Sequence, residues 1–218
     1  MNFTAEKRQI MEALQNAAAV AERRNTIPIL ANMLIKTSKN CIEFTATDLE
    51  IQIKSLAEVT SVQQEGEITV SARKMSELCK SLPDEDTVNF YVELGKLSVR
   101  AKNFQADLST ISADNFPELE CMEELSRFEV PSAELNRILN KTQFSMGSAD
   151  VRTYLNGSLL EIKEGELSAV ATDGHRLAKS TSKNLKIQEN SSNIVPRRAI
   201  LELTKILQNA DDSVNLVL

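Results

Sequence analysis

Four sequence landmarks occur twice in this chain, in the same order and at nearly the same spacing. The pairs are Thr4-Ala5-Glu6 with Ser132-Ala133-Glu134, Ala46-Thr47-Asp48 with Ala171-Thr172-Asp173, Arg73-Lys74 with Arg197-Arg198, and Val88-Asn89 with Val214-Asn215. Their offsets lie between 124 and 128 residues. Repeats of about 20 to 50 residues are typical of solenoids, whereas a repeat of this length is a whole small domain. The sequence therefore predicts that one domain has been duplicated.

The two copies divide the 218 residues into predicted domains of 1–124 and 125–218, without a flexible linker between them. The first copy continues after Val88 through two strand-like runs, 96–102 and 104–110. The second copy reaches Leu218 without a counterpart of these runs. Because an open strand edge needs a partner, we expect the second domain to be incomplete and the chain to be a fragment of a longer protein.

Composition limits the class of protein. Hydrophobic residues make up 42% and charged residues 26%, which is an ordinary balance for a soluble globular protein. The sequence has no apolar run of about 18 residues and no signal peptide at its N-terminus, which predicts a cytoplasmic protein without a membrane partner. Cys41, Cys79 and Cys121 form no CxxC pair, so we expect neither a disulfide framework nor a metal site, and no cofactor.

Apolar residues at helical spacing predict four helices in two matched pairs. Thr4 and Ser132 are expected to cap the first helix of each pair, and Ser71 and Pro196 to begin the second. The runs with strand character are 30–36, 41–47, 49–59, 67–70, 157–162, 166–172 and 176–182. Each copy therefore has the pattern of an α+β fold, in which two helices cover one face of a mostly antiparallel sheet.

Basic residues recur on the second helix of each copy, although the formal net charge of the chain is −6. They are Arg73, Lys74 and Lys80 in the first copy and Arg197, Arg198 and Lys205 in the second. Repeated positive charge on an acidic protein predicts a surface that faces phosphates. The alternative is that these are solvated helix faces, partly balanced by Glu77 and Glu202 four residues further on.

Asp173 and His175 could form an acid–base couple, since side chains two residues apart on a strand point the same way. The chain has no nucleophile motif such as GxSxG, and a single histidine is a poor basis for a metal site. A tight turn at Asp173-Gly174 is the simpler interpretation. We therefore predict that the chain has no catalytic residues.

An apolar groove is a second possibility in the same region. Tyr154, Leu155, Thr172 and Leu177 could line such a groove, with His175 and Arg176 at its rim, as in peptide-docking pockets. Ordinary core packing would explain the same residues. Spacing alone does not decide between the two.

Several motifs together closely resemble the bacterial DNA polymerase III beta sliding clamp family, from Met1 to Leu218. They are Ile27-Pro28-Ile29-Leu30, Ala46-Thr47-Asp48-Leu49-Glu50, Thr142-Gln143-Phe144-Ser145-Met146, Asp150-Val151-Arg152, Tyr154-Leu155-Asn156-Gly157 and Ala171-Thr172-Asp173-Gly174-His175-Arg176-Leu177-Ala178. The resemblance implies a homodimeric ring of three-domain subunits that encircles duplex DNA without sequence specificity and tethers the polymerase. It also implies loading by an ATP-driven clamp loader, and no active site.

The resemblance also implies roles for individual residues. Arg24, Arg73, Lys74, Arg197 and Arg198 would contact DNA in the central hole. Polymerase and clamp-loader subunits would insert short hydrophobic peptides into a pocket of Arg152, Tyr154, Leu155, Thr172, Gly174, His175, Arg176 and Leu177. Phe104 and Leu108 would lie on the strand of the subunit interface. The third domain is missing from the sequence.

The predicted function is therefore that of a non-catalytic processivity clamp. Two other classes remain open from the residues themselves. One is a hydrolase that uses Asp173 and His175, and the other is a protein-binding module whose basic helices have no role. Replacement of His175 by alanine would abolish the activity of the first and leave peptide binding intact.

Overall fold

The computed structural model describes residues 1–21, 27–82, 87–117, 119, 127–183, 185, 190–208, 210 and 212–217. The chain forms two compact units, Met1–Glu120 and Cys121–Leu218. Each unit has a hydrophobic core. The boundary predicted between residues 124 and 125 falls outside the described residues and stays a prediction.

The first unit combines two helices with a long antiparallel sheet. In chain order its elements are β1 (Asn2–Glu6), α1 (Lys7–Ala18), β2 (Asn32–Ser38), β3 (Cys41–Thr47), β4 (Gln52–Glu58), β5 (Ser61–Gln64), β6 (Gly66–Ser71), α2 (Ala72–Ser81), β7 (Thr87–Glu93), β8 (Lys96–Ala101) and β9 (Phe104–Ile111). Within the described residues the strands form one sheet in the order β4-β3-β2-β6-β9-β8-β7-β1-β5. Helix α1 packs on β3 and β4 and beside α2.

The first strand corrects one prediction from the sequence. Thr4 does not cap a helix, because it lies within β1, where Phe3 and Ala5 alternate into the core. The ring of Phe3 stacks on that of Phe90 in the neighbouring strand, with centroids 4.6 Å apart. Alternation with a period of two favours a strand over a helix. Helix α1 begins only at Lys7, and the backbone N–H of Glu6 donates to Oε1 of Gln9 at 2.8 Å.

The second unit repeats most of this plan. Its elements are β10 (Arg127–Pro131), α3 (Ser132–Asn140), β11 (Gly157–Lys163), β12 (Glu166–Thr172), β13 (Leu177–Ser182), β14 (Ser191–Pro196), α4 (Arg197–Ile206) and β15 (Ser213–Val217). The described strands form an antiparallel sheet in the order β13-β12-β11-β14 and an antiparallel ribbon of β10 and β15. Leu135, Ile138 and Leu139 of α3 and Ile200 of α4 are buried in the core of this unit.

The duplication is confirmed, with a more regular offset than the sequence landmarks suggested. Strands β3 and β12 begin at Cys41 and Glu166, and helices α1 and α3 begin at Lys7 and Ser132. Both pairs are 125 residues apart. The counterpart of Ser132 is therefore Lys7 and not Thr4. Ser132 is the first residue of α3 and is not its cap, which is Pro131.

The second helices show the same offset. Helix α2 begins at Ala72 and α4 at Arg197. Arg73 therefore corresponds to Arg198, and Arg197 has an alanine as its counterpart, so the basic pairs are one residue out of register. Ser71 caps α2, since its hydroxyl accepts from the Lys74 N–H at 3.4 Å. Pro196, predicted to lie in the first turn of α4, is instead the cap residue before it.

The described cysteines differ in their exposure. Burial raises the pKa of the Cys79 thiol to about 12, which makes this thiol unreactive at neutral pH. Cys41 is exposed, and Cys121 lies outside the described residues. None of the helices in the described ranges is both long enough and apolar enough to cross a membrane.

Candidate functional site

A hydrogen-bonded turn, Thr172–Arg176, connects β12 to β13. The Asp173 carboxylate accepts from the backbone N–H groups of His175 and Arg176, both at 3.0 Å, and from Nε of Arg176 at 2.9 Å. The Thr172 hydroxyl donates to the Arg176 carbonyl at 2.7 Å and accepts from the Gly174 N–H at 3.1 Å. Gly174 has φ +87°, a conformation that glycine adopts without strain.

The first unit contains the same turn at Thr47–Ile51. The Asp48 carboxylate accepts from the N–H groups of Glu50 and Ile51 at 2.9 and 2.8 Å, and the Thr47 hydroxyl donates to the Ile51 carbonyl at 2.8 Å. The repeated Ala-Thr-Asp sequence is therefore a structural motif that shapes a turn. The tight turn predicted at Asp173-Gly174 is confirmed, and the placement of Asp173 and His175 on one strand is wrong.

These bonds leave Asp173 poorly suited to general base chemistry. Its pKa is lowered, first by the N–H of His175, then by that of Arg176 and by the Arg176 guanidinium. A carboxylate that is already bonded to two amides and an arginine does not orient an imidazole. The geometry therefore favours a turn over an acid–base couple.

A second segment, residues 143–156, lies against this turn, and we call it the 143–156 segment. It contains two short 3₁₀ turns, Gln143–Ser145 and Thr153–Leu155. The side chain of Asn156 closes it, since Nδ2 donates to the Asp150 carbonyl at 2.8 Å and Oδ1 accepts from the Asp150 N–H at 2.9 Å. The Gly147 N–H donates to the Leu155 carbonyl at 2.8 Å.

Two arginines join the segment to the turn. Arg152 pairs with Asp150, with Nε–Oδ1 and Nη2–Oδ2 distances of 3.1 and 3.0 Å. Its guanidinium lies over Gly174, where an added Cβ would come within 3.1 Å of Nη2. The guanidinium carbon of Arg176 lies 5.5 Å from the centre of the Phe144 ring. A side chain at position 174 would therefore crowd the Arg152 guanidinium as well as strain the backbone, and the Phe144 ring stabilises Arg176 by a cation–π contact.

Large apolar side chains are exposed around these arginines. The exposed fractions are 66% for Leu177, 59% for Tyr154 and 56% for Phe144, whereas Leu155 is buried, with 6% exposed. We call this region the pocket surface; it comprises Phe144, Arg152, Tyr154, Leu155, Thr172, Gly174, His175, Arg176 and Leu177. Leu177 and Tyr154 are too exposed for core packing, and a cluster of exposed apolar side chains is typical of a docking surface. The structure brings all eight predicted pocket residues into this region, and their role in binding stays a prediction.

Phe144 and Asp150 were not among the site residues predicted from the sequence. Phe144 lies in one of the motifs quoted above, and Asp150 lies two residues before Arg152. The available signal for Phe144 was an aromatic residue within such a motif. No signal in the sequence indicated the bidentate pair of Asp150 with Arg152, because it depends on the backbone of a 3₁₀ turn.

The Asp150–Arg152 pair leads to a prediction about pH. The Arg152 side chain, and then its backbone N–H, lower the pKa of Asp150 from 3.8 to about 2. Because its pKa is lowered in the folded protein, the ionised Asp150 carboxylate stabilises the fold above pH 3.8. This stabilisation is lost as the pH falls toward 2. We expect the Asp150 carboxyl carbon to titrate near pH 2 by NMR, and Arg152→Ala to raise its midpoint. Arg8→Ala, in the first unit, is the control, and a midpoint that Arg152→Ala leaves unchanged would contradict the assignment.

The basic residues lie on α2 and α4. Arg73 is exposed, and its Nε donates to Oε1 of Glu77 at 2.8 Å, which raises the pKa of Arg73. A cavity of about 290 Å³ opens beside α2, and Ser71, Ser76 and Lys80 are among the residues that line it together with Arg73 and Glu77. Lys74 is exposed as well. Arg24 lies outside the described residues.

On α4, Arg197 is hydrogen-bonded to the 143–156 segment. Nη1 of Arg197 donates to the Met146 carbonyl at 3.0 Å, and the Arg197 backbone N–H donates to the Asn156 carbonyl at 2.9 Å. Both arginines are half-buried. Further along the helix, Lys205 pairs with Glu202 at 2.8 Å. Arg197 thus contacts the 143–156 segment directly, which the sequence did not indicate.

The two predicted interface residues, Phe104 and Leu108, lie on β9. Both are half-buried and pack against the core of their own unit. Strand β9 pairs with β8 along Phe104–Ser109, but pairs with β6 only at Thr110 and Ile111. Within the described residues, the edge of β9 from Phe104 to Ser109 on the β6 side therefore has no neighbouring strand. A role in dimer formation stays a prediction.

Comparisons with known proteins agree with these observations. Residues 1–120 match the family described as "DNA polymerase III beta subunit, N-terminal domain", and residues 129–218 match its central domain. The beta sliding clamp of Pseudomonas aeruginosa is 40% identical over the whole chain, which covers 60% of that protein. That of Escherichia coli K12 is 35% identical over 97% of the chain and 58% of its own length.

Solved structures give the same result. The DNA polymerase III subunit beta from Pseudomonas aeruginosa superposes on the whole chain with a TM-score of 0.95 at 39% identity, and the chain covers 60% of it. A sliding clamp from the same organism, bound to griselimycin, also has a TM-score of 0.95, at 40% identity and 59% coverage. The chain thus spans about 60% of the length of the relatives it matches.

Proposed function

The chain belongs to the DNA polymerase III beta subunit family, and from this we propose that it functions as part of a sliding clamp. Such a clamp would encircle duplex DNA as a homodimeric ring and hold the replicative polymerase on its template. The exposed pocket surface is the observation that carries this proposal, because it provides the attachment that a tether needs.

The chemistry of the pocket surface favours a short apolar peptide as its ligand. Leu155 provides a buried floor, and the exposed Leu177 and Tyr154 can cover an inserted side chain. Arg152 and Arg176, each held by an aspartate, can orient backbone carbonyls or a carboxylate of the peptide. We therefore propose tails of polymerase and clamp-loader subunits as partners.

For DNA we propose contacts at Arg73, Lys74 and Arg198, with Arg197 and Arg24 as further candidates that the family resemblance implies. An acidic protein with a net charge of −6 binds DNA weakly in a nonspecific manner. A ring does not need tight binding, because it is retained by topology and requires only a weakly positive lining. The open edge of β9, with Phe104 and Leu108, is our candidate for the subunit interface.

We further propose that the protein has no catalytic activity of its own and acts in the cytoplasm. The alternative hydrolase would need Asp173 as a partner of His175. The bonds of Asp173 to two backbone amides and to Arg176 oppose that role. Among the described residues, no three His, Cys, Asp or Glu side chains cluster as ligands for a metal ion.

Topological retention on DNA tests the proposed function. The native protein that contains this sequence should be loaded onto nicked circular duplex DNA by a clamp loader with ATP. We expect it to remain bound in salt that abolishes electrostatic binding, and to dissociate when a restriction enzyme linearises the circle. Equal retention on circular and linear DNA would contradict a ring. Loss from both in high salt would contradict it as well.

A further inference from the structure

Arg197 contacts Met146 and Asn156, and the chain between these two residues contains Arg152 and Tyr154 of the pocket surface. Its guanidinium donates to the carbonyl of Met146, and its backbone N–H donates to the carbonyl of Asn156. Met146 is buried, and a buried carbonyl that loses its donor destabilises the structure around it. Because the guanidinium is charged, this hydrogen bond is stronger than one between neutral groups.

Arg152 and Tyr154 of the pocket surface lie between these two anchor points. Asn156 holds Asp150 through two hydrogen bonds, and Asp150 in turn fixes Arg152. Next to the other anchor, the Gly147 N–H donates to the Leu155 carbonyl. A Cβ at Gly147 would come within 3.0 Å of that carbonyl oxygen, so the backbone around Gly147 and the backbone around Leu155 approach closely. The position of Arg152 therefore depends on both anchor points.

The first copy of the domain shows that the fold itself does not require this arginine. At the offset of 125 residues, the counterpart of Arg197 is Ala72 and that of Met146 is Ala21. Ala72 is the buried first residue of α2 and has no side-chain donor. Both copies nevertheless form the same turn, at Thr47–Ile51 and Thr172–Arg176. The arginine is thus present in the copy that carries the pocket surface, and absent from the other.

We propose that Arg197 is a positioning residue of the pocket surface, which fixes the 143–156 segment in the conformation that presents Arg152 and Tyr154 to a peptide. This inference rests on the proposed function. It changes the role predicted for Arg197, which was grouped with Arg198 as a DNA contact. Helix α4, which we propose to face DNA, would then also support the peptide site through Arg197, its first residue.

Two substitutions separate the donor from the bulk of the side chain. Arg197→Met keeps most of the volume and removes every side-chain donor but leaves the backbone N–H, whereas Arg197→Lys keeps the charge and one donor group. We expect Arg197→Met to speed hydrogen exchange at the Gly147 and Leu155 amides by about tenfold, and to weaken peptide binding by about tenfold. Arg197→Lys should restore most of both. The probe is a short fluorescein-labelled peptide with adjacent leucine and phenylalanine side chains.

Lys183→Met is the matched control, because Lys183 is an exposed cation in the same unit, at the opposite end of β13 from the turn. Lys183→Met should change neither the exchange rates of the Gly147 and Leu155 amides nor the peptide affinity. Unchanged exchange in Arg197→Met would overturn the proposal, and so would faster exchange with unchanged peptide affinity. If the unmodified protein bound no such peptide, the proposed function would fail, and the exchange rates alone would still decide whether Arg197 positions the segment.

Discussion

Leu177→Lys is expected to weaken the binding of a short apolar peptide by about thirtyfold or more, because one apolar anchor contributes about 2 kcal/mol or more. Leu177 begins β13 and is 66% exposed, so a lysine fits there without disturbing the core. The substitution places a charge where the peptide would bury an apolar side chain. Isothermal titration calorimetry with a peptide from the tail of the replicative polymerase measures the effect.

Leu56→Lys provides the matched control for this measurement. Leu56 is 68% exposed and also lies on an edge strand, but it belongs to the first unit, whereas the pocket surface belongs to the second. It should leave the peptide affinity unchanged. If Leu177→Lys had no larger effect than Leu56→Lys, the peptide would dock elsewhere and the pocket surface would lose its proposed role.

Simultaneous replacement of Arg73, Lys74 and Arg198 by glutamine should reduce the affinity for duplex DNA equally for all sequences. Each phosphate contact contributes about one unit to the slope of log K against log salt, so we expect the slope to fall by about three. Fluorescence anisotropy with short linear duplexes at low salt measures this slope. Linear DNA is the correct substrate, because it removes topological retention from the measurement.

The control is a second triple variant, in which Lys54, Lys96 and Lys163 become glutamine. These lysines are exposed on β4, β8 and β11. The control variant therefore has the same net charge as the first variant, but it keeps the basic residues of α2 and α4. If both variants lost affinity equally, the effect would reflect net charge alone. An unchanged slope in the first variant would show that the basic helices do not contact DNA.

Much of the architecture could be predicted because both copies carry the same local signals. Strands β3 and β12 have the predicted limits, and helices α1 to α4 form the two matched pairs that the helical spacing predicted. Local patterns with period two or with helical spacing depend on few neighbours, and a repeat supplies each pattern twice. The duplicated α+β fold was therefore accessible from the sequence.

The errors occurred where a tertiary contact decides the local structure. The run around Thr4 has a good capping residue, yet it forms a strand because Phe3 stacks on Phe90, a residue far along the chain. The predicted match of the basic pairs is one residue out of register, because the positions of the helix starts, Ala72 and Arg197, decide which residues correspond. Arg197 could be separated from Arg198 only once its contact with Met146 was visible.

The ribbon of β10 and β15 has a consequence for the order in which the second unit folds. Strands β11, β12 and β13 are joined by short turns and can pair within a local stretch of chain, whereas β10 pairs Arg127 with Val217. Closure of so long a loop is slow relative to hairpin formation. During synthesis, the inward face of β10, with Phe128 and Val130, stays without its partner strand until β15 leaves the ribosome. Chaperones that recognise exposed apolar strands are therefore expected to engage this unit from the emergence of β10 until that of β15.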